Sequence, residues 1–275
     1  MRITDGVATK NQIEKREIVK ICILGSGNVA HHISRALYKV GHNIVQVYGR
    51  NKNTSKAVAK RCKAVAIQDI GLLSPKADLY LITVSDNAIE LVARSITFEL
   101  KSKQIIAHTA GSISIDTLKA GGQHFGSFYP LQTFSKARRL SFQKIPMCIN
   151  GSDEYTKKKL TKLAKTISTD VRQIDDATRK EIHLSAVLAC NFVTHLIAEA
   201  EELLESADVD PSILTPLIQE TVAKTIQQGG TNAQTGPARR GDTKVISSHL
   251  KMLDSKPNTQ KLYKQISAAI KKKYS

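Results

Sequence analysis

One short stretch constrains this chain more than any other. Residues 18–30 read I-V-K-I-C-I-L-G-S-G-N-V-A. An apolar, β-branched run stops at Gly25-Ser26-Gly27, and a helical pattern starts at Asn28. A strand, a tight turn and a helix in that order leave backbone N–H groups free at the positive end of a helix dipole, which makes an anion site. Gly25 permits the turn, Gly27 lets a phosphate approach the backbone, and Ala30 lets the helix lie close to the strand. The pattern predicts a dinucleotide pyrophosphate held on Gly25, Ser26, Gly27, Asn28 and Val29.

The residues that follow keep the same rhythm. Apolar runs at 43–48, 64–67, 79–84, 104–108, 125–129 and 147–150 read as strands, and 28–40, 54–62 and 87–95 read as helices. Strands alternating with helices through short loops predict a parallel, doubly wound sheet with right-handed crossovers. The pattern changes near Gly151. A basic amphipathic helix at 152–167 and a short strand at 171–174 lead into a stretch without Gly or Pro from 177 to 207, apolar on nearly all faces and read as a buried helix. Further helices are expected at 211–228, 244–253 and 258–273. The expected organisation is an N-terminal extension over 1–17, a nucleotide-binding α/β domain over 18–151 and an all-helical domain over 152–275.

Composition narrows the partners. The formal net charge is +17, a balance that can serve nucleic acid, anionic membranes or anionic ligands. The lysines are spread along the chain, the dense run is confined to Lys271-Lys272-Lys273, and only 5% of residues are aromatic. With no stacking platform and no nucleic-acid motif, the expectation is a solvated basic surface and no nucleic-acid partner. The longest largely apolar segment, 184–198, carries Ser185, Asn191, Thr194 and His195 and reads as too polar and too short for a bilayer. The first residues show no apolar secretion core. The four cysteines, Cys22, Cys62, Cys148 and Cys190, have no paired metal spacing, so no metal site is expected and free thiols point to a reducing cytoplasm.

The end of the second strand decides the cofactor. Proteins that use NAD place an acid about 20 residues past the glycines to hold the ribose 2′-OH. Here residues 18–68 contain no Asp or Glu, and the strand runs into Arg50-Asn51-Lys52 with Thr54, Ser55 and Lys56 behind it. A guanidinium with hydroxyls suits a 2′-phosphate. The expected cofactor is therefore NADP, with Arg50, Asn51 and Ser55 at the 2′-phosphate.

In an open α/β sheet the ligand lies at the carboxyl ends of the strands. Those ends carry Val84-Ser85-Asp86, then His108 through Ser112, then Tyr129-Pro130-Leu131-Gln132. Val84, Ser85 and Asp86 are read as cofactor contacts, with a helix N-cap as the other role open to Asp86. His108 is a candidate proton donor, because imidazole titrates near neutral pH, or else a structural histidine. Ser112 and Gln132 are candidate substrate contacts. On the long helix His183, Val187 and Asn191 follow steps of four, and His183 and Asn191 are candidate catalytic groups. Arg239 and Arg240, inside A-Q-T-G-P-A-R-R-G-D, are candidates to hold an anionic substrate group; the alternative is a connector in which Asp242 caps the next helix.

Four stretches together resemble one bacterial family: F-Y-P-L-Q-T-F-S at 128–135, H-T-A-G-S at 108–112, R-K-x-x-H-L-S-A-V-x-A-C-N-F at 179–192, and the 233–242 loop. The chain is similar to Rossmann-like NADP oxidoreductases whose C-terminal half is classed as a domain of unknown function. Their relatives in architecture are pyrroline-5-carboxylate reductase, the deazaflavin-dependent NADP oxidoreductases and the 6-phosphogluconate dehydrogenase superfamily. The resemblance implies a parallel Rossmann sheet followed by a helical domain of the 6-phosphogluconate dehydrogenase C-terminal type. It also implies a small substrate between the two and a homodimer formed through the helices. The hydroxyacid branch places a catalytic Lys and Asn on the long helix; here the region offers His183 and Asn191, with Lys180 one turn earlier. The expectation is an NADP-dependent oxidoreductase of cytoplasmic location that needs neither nucleic acid nor membrane. The alternative is an NADP-binding sensor without turnover.

Overall fold

In the computed structural model, which describes residues 17–274, the chain divides into two compact units, Met1–Cys190 and Asn191–Ser275. The expected extension over 1–17 lies outside the described residues except for Glu17, whose carboxylate pairs with Lys159 at 2.7 Å.

The first unit is built on one eight-stranded sheet in the order β3-β2-β1-β4-β5-β6-β7-β8. The strands are β1 (Lys20–Leu24), β2 (Asn43–Tyr48), β3 (Val65–Ile67), β4 (Leu79–Ile82), β5 (Ile105–His108), β6 (His124–Pro130), β7 (Met147–Gly151) and β8 (Val171–Gln173). From β3 to β6 every neighbouring pair is parallel. β7 turns antiparallel to β6, and β8 runs parallel to β7. The chain leaves β1 through β2 and β3 and returns to β4 on the other side of β1, so the topological switch, and with it the ligand crevice, falls between the carboxyl ends of β1 and β4.

Both sheet faces are covered, as continuous apolar strands require. On one face Ala30, Ile33 and Leu37 of α1 (Asn28–Lys39), Val58 and Ala59 of α2 (Lys52–Arg61) and Leu160, Leu163 and Ala164 of α4 (Glu154–Ala164) cluster with Ile21, Ile23 and Ile149. On the other, Ile89, Val92 and Ala93 around α3 (Ile89–Arg94) cluster with Cys22, Leu24 and Ile106. The β5–β6 crossover is a 3₁₀ segment, Ile115–Gly121, which no sequence pattern announced. Because α4 and β8 extend the sheet's own core, the division falls after Cys190, later than the boundary expected at Gly151. The physical reason is that a basic helix such as α4 reads as a new domain although its apolar stripe packs back on β6 and β7.

From Asp176 the chain is helical to Glu205. α5 (Asp176–Ala186) and α6 (Phe192–Glu205) are joined by a single π turn over Val187–Asn191. The second unit continues with α7 (Thr215–Gln228), two short turns α8 (Gly230–Ala233) and α9 (Pro237–Arg240), α10 (Thr243–Met252) and α11 (Pro257–Tyr274). The expectation that the long helix is buried does not hold: Leu188, Phe192, Leu196 and Leu203 are exposed. At 30 residues it also exceeds the short apolar segment read from sequence, and by length and composition alone it could cross a membrane. The same apolarity reads alike for a core, an interface and a bilayer, and sequence periodicity does not separate them.

Candidate active site at the strand carboxyl ends

The glycine turn is shaped by its neighbours. Gly25 has φ +133°, and a Cβ there would lie 2.5 Å from Thr83 Oγ1 and 2.8 Å from the Thr83 carbonyl. Its N–H donates to Tyr48 O at 2.8 Å, which ties the turn to β2. Gly27 differs in kind: a Cβ there would meet nothing within 4 Å. It stands before the first turn of α1, where no side chain caps the helix and no acid is present. Free amides, open space and no competing carboxylate fit a pyrophosphate. Ser26 Oγ lies 2.7 Å from Thr54 Oγ1, and Asn28 is exposed, with its amide donating to Phe134 O at 2.8 Å. Val29 is half-buried behind the turn.

At the 2′-phosphate position the expected residues separate. Arg50 is exposed at the end of β2. Asn51 accepts from the N–H groups of Asn53 and Thr54 at 3.0 and 3.1 Å, so its side-chain oxygen caps α2. Ser55 is fully buried, donates to Lys52 O at 3.2 Å and accepts from Gln68 at 3.0 Å. Burial removes Ser55 as a contact and makes it a support of the loop, leaving Arg50, Lys52 and Thr54 at the rim.

The chemistry-bearing groups meet at the ends of β4, β5 and β6 and on α5. Ser85 and Asp86 follow β4, and Val84 is half-buried beside them. Asp86 is not an N-cap; its carboxylate accepts from the Ser112 hydroxyl. Gln132 is exposed, and its side-chain oxygen accepts from Thr133 N–H at 2.8 Å. His183 Nδ1 lies 3.2 Å from the Tyr129 hydroxyl at the end of β6. The imidazole seats directly on Gly111, where a Cβ would fall 2.6 Å from Nδ1. Burial, followed by the nearby Cys148 and Asp86, pushes the Tyr129 phenol up to about 12. Tyr129 therefore keeps its proton, and its hydroxyl holds the imidazole through Nδ1.

His108 does not fill the expected donor role. It is fully buried, its Nδ1 accepts from Ala110 N–H at 3.2 Å, and its Nε2 has no partner. Burial first, and then the Arg179 charge, push it down to about 4, so it is neutral at pH 7 and sealed from solvent.

Two residues missed by the sequence reading hold the site together. Arg179, fully buried on α5, donates to Ser127 Oγ at 2.9 Å, to Asp176 Oδ1 at 2.6 Å and to Ile113 O. Asp176 accepts in turn from Ile115 N–H at 2.8 Å and Asn150 at 3.0 Å. Burial alone would raise the Asp176 carboxyl, but bonds from Ser114, Ile115 and Asn150, with Arg179, hold it down at about 2. This pair clamps the start of α5 onto the 109–115 segment and sets His183 one turn further along. Extending the 183, 187, 191 series one step back reaches Arg179, and the free 3.6-residue register was the signal. Tyr129 was visible only as part of a strand end.

The remaining candidates lie in the second unit. Asn191 is exposed at the π turn. Arg239 stacks over the Tyr274 ring at 4.3 Å, and Arg240 is exposed before Gly241, which takes a left-handed φ of +69°. Asp242 caps α10 through Val245 N–H at 3.2 Å, which is the connector role.

Such a sheet order, with an uncapped glycine turn at its switch point, defines a Rossmann-type dinucleotide-binding protein. The family models agree with it. Residues 20–111 match the NADP oxidoreductase, coenzyme F420-dependent, family, and residues 145–270 match a domain of unknown function, DUF2520. An NADP oxidoreductase structure from Bacteroides fragilis is 37% identical over 93% of this chain and 98% of that one, with a TM-score of 0.89. The chain belongs to this family of NADP oxidoreductases with a C-terminal domain of unknown function. A pyrroline-5-carboxylate reductase from Streptococcus pyogenes shares the fold at 16% identity and a TM-score of 0.60, over 93% of this chain and 99% of that one. An imine reductase from Myxococcus stipitatus in complex with NADP+ shares it at 15% identity and 0.58, over 92% of each chain. No curated protein sequence matches the chain.

Proposed function

We propose that this protein is an NADPH-dependent reductase of a small imine or carbonyl compound, with His183 as the proton donor and Tyr129 as the residue that holds its ring in place. The observation that carries this reading is the 3.2 Å approach of Tyr129 to His183 Nδ1 at the carboxyl ends of the same sheet that bears the glycine turn. Gly27, Asn28 and Val29 would hold the pyrophosphate, and Arg50 with Lys52 and Thr54 the 2′-phosphate. When bound, the nicotinamide supplies hydride. The His183 imidazolium would deliver the matching proton to the substrate heteroatom and return to the neutral ring, held at Nδ1 by the Tyr129 hydroxyl, and Asp86 accepts from the Ser112 hydroxyl beside it.

The helical unit is proposed to pair with a second copy of this chain. Among its described residues the buried hydrophobics are only Ala233, Ala238 and Leu253, while Phe192, Ile213, Leu217, Val222 and Ile226 are exposed. A unit of this size cannot offset its chain entropy with so little burial, and apolar side chains spread over α6 and α7 suit a self-complementary pairing. A cytoplasmic location belongs to the same proposal, supported by the buried thiols of Cys22, Cys62 and Cys148.

The departure at the long helix, where Lys180 is exposed and His183 stands in the site, favours one other reading: NADP binding without turnover. NADPH oxidation measured across cyclic imines, 2-keto acids and oxidised deazaflavin separates the two. Turnover with any of them that is lost in His183→Ala supports the reductase. Tight NADPH binding with no turnover across the panel supports the sensor.

A further inference from the structure

Cations that are scattered through the sequence meet on one flank of the α/β unit. Arg35 and Lys39 on α1, Arg61 at the end of α2, Lys136 and Arg139 in the segment after β6, and Lys165 after α4 line one cavity of about 860 Å³. Among the described residues no Asp or Glu lines it, and none of these cations is in an ion pair.

The wall of this cavity is fixed in place. Asn28 donates to Phe134 O at 2.8 Å, His32 Nε2 lies 2.9 Å from Ser135 O, and Phe134 stacks on Phe142 with centroids 5.8 Å apart. Lys136 Nζ reaches Ser26 O at 3.4 Å, so the cavity rim comes up to the glycine turn. Like charges gathered without acids raise one another's energy and favour an anion among them. His31, in the same cavity, registers that field: burial, then Arg61, His32, Lys136 and Arg35, push it down to about 4. Arg61 is likewise lowered, by burial first and then by Arg35 and Arg139.

The volume is that of a small-molecule site. Guanidinium forks pair with phosphate oxygens two at a time, and Ser141 and Thr169 add hydroxyls at the edge. One phosphate would leave most of these cations uncompensated. The cations line a concavity instead of tracking a groove, and Phe142 in its lining is only 6% exposed, so little ring face is offered to stacked bases. We propose that this cavity binds a small anion carrying two or more phosphate groups, at a site separate from the dinucleotide turn.

Isothermal titration of the full chain with inorganic tripolyphosphate, with and without saturating NADPH, tests this. The expected result is one saturable site that persists in NADPH, binds tripolyphosphate at least about tenfold tighter than inorganic phosphate, and weakens by about tenfold or more in Arg35→Ser/Arg139→Ser. Unchanged NADPH affinity in that variant shows that it is folded; should it not fold, Arg61→Ser, at an exposed helix end, carries the same expectation. Loss of tripolyphosphate binding in NADPH would assign the anion to the dinucleotide site and overturn the proposal. So would equal binding by the variants, or saturable binding of single-stranded oligothymidylate with none of tripolyphosphate.

Discussion

The hydroxyl of Tyr129 stands 3.2 Å from Nδ1 of His183, and Gly111 leaves the imidazole just enough room to reach it. A strand end, a loop and a helix from separate parts of the chain thus converge on one proton. With the phenol pushed up to about 12, Tyr129 stays protonated throughout the neutral range and holds the imidazole through Nδ1.

Replacing His183 by Ala should leave NADPH affinity intact and lower turnover by about 10²-fold or more. Tyr129→Phe removes the hydrogen bond that holds the imidazole without removing the acid. It should lower kcat more than it raises KM and should move the pH profile of kcat, a change that a purely structural loss would not produce. Turnover unchanged in His183→Ala removes the histidine from the mechanism.

Gly111→Ala sets a methyl 2.6 Å from His183 Nδ1. The ring must move, so turnover should fall toward that of His183→Ala, while thermal stability changes by about 1–3 kcal/mol, as for a strained small-to-large substitution. Full activity in this variant would show that His183 is not held where the structure places it.

Arg179→Met leaves the half-buried Asp176 without its cation, though still bonded to Ile115 and Asn150, and strips Ser127 and Ile113 O of their donor. Breaking one side of a buried pair costs about 3–5 kcal/mol. Denaturant unfolding should show a loss of that order, partly restored in Arg179→Met/Asp176→Leu. A loss below about 1 kcal/mol would mean that the clamp is not needed to dock α5.

Acid should destabilise the α/β unit before its carboxylates titrate. His108 has a folded value of about 4, below the ordinary 6.5, so the unfolded chain binds a proton that the fold refuses. The neutral His108 contribution is complete above pH 6.5 and is lost as pH falls from 6.5 to 4. At full burial this amounts to about 3 kcal/mol. Urea midpoints between pH 7 and 4 should fall in the wild type and fall less steeply in His108→Gln, where His31 keeps its own share of the acid sensitivity. Parallel pH dependence in the two proteins would locate the acid sensitivity elsewhere.

The exposed apolar side chains of α6 and α7 predict a dimer. Leu217 and Ile226 are 63% and 80% exposed in the single chain. Light scattering should give twice the 30.2 kDa chain mass, and Leu217→Lys/Ile226→Lys should shift it to the monomer. A monomeric wild type, or one that floats with lipid vesicles, would reassign this face.

Local patterns made much of the sheet legible. The Gly25–Gly27 turn, β2 and the α1 register are written in contiguous residues, and the structure places them where the periodicity does. The site was legible only in pieces, because its bonds span distance. Arg179 meets Ser127 and Ile113 across the fold, and no local pattern encodes such a pairing. His108 misled because its residue type suggests titration, whereas its place at the centre of a covered sheet forbids it. Arg35, Arg61, Arg139 and Lys165 look like solvated surface one by one and become a cavity only when α1, α2 and the loops are folded. The apolar stretch after Cys190 reads the same whether a core or a second chain covers it.

The central claim is that the glycine turn and the acid-free end of β2 select NADP. Paired fluorescence titrations of the protein with NADPH and NADH test it most directly. NADPH should bind at least about tenfold tighter, the difference a 2′-phosphate on Arg50 would supply, and Arg50→Ala should erase most of that preference. Equal or tighter binding of NADH would contradict the account.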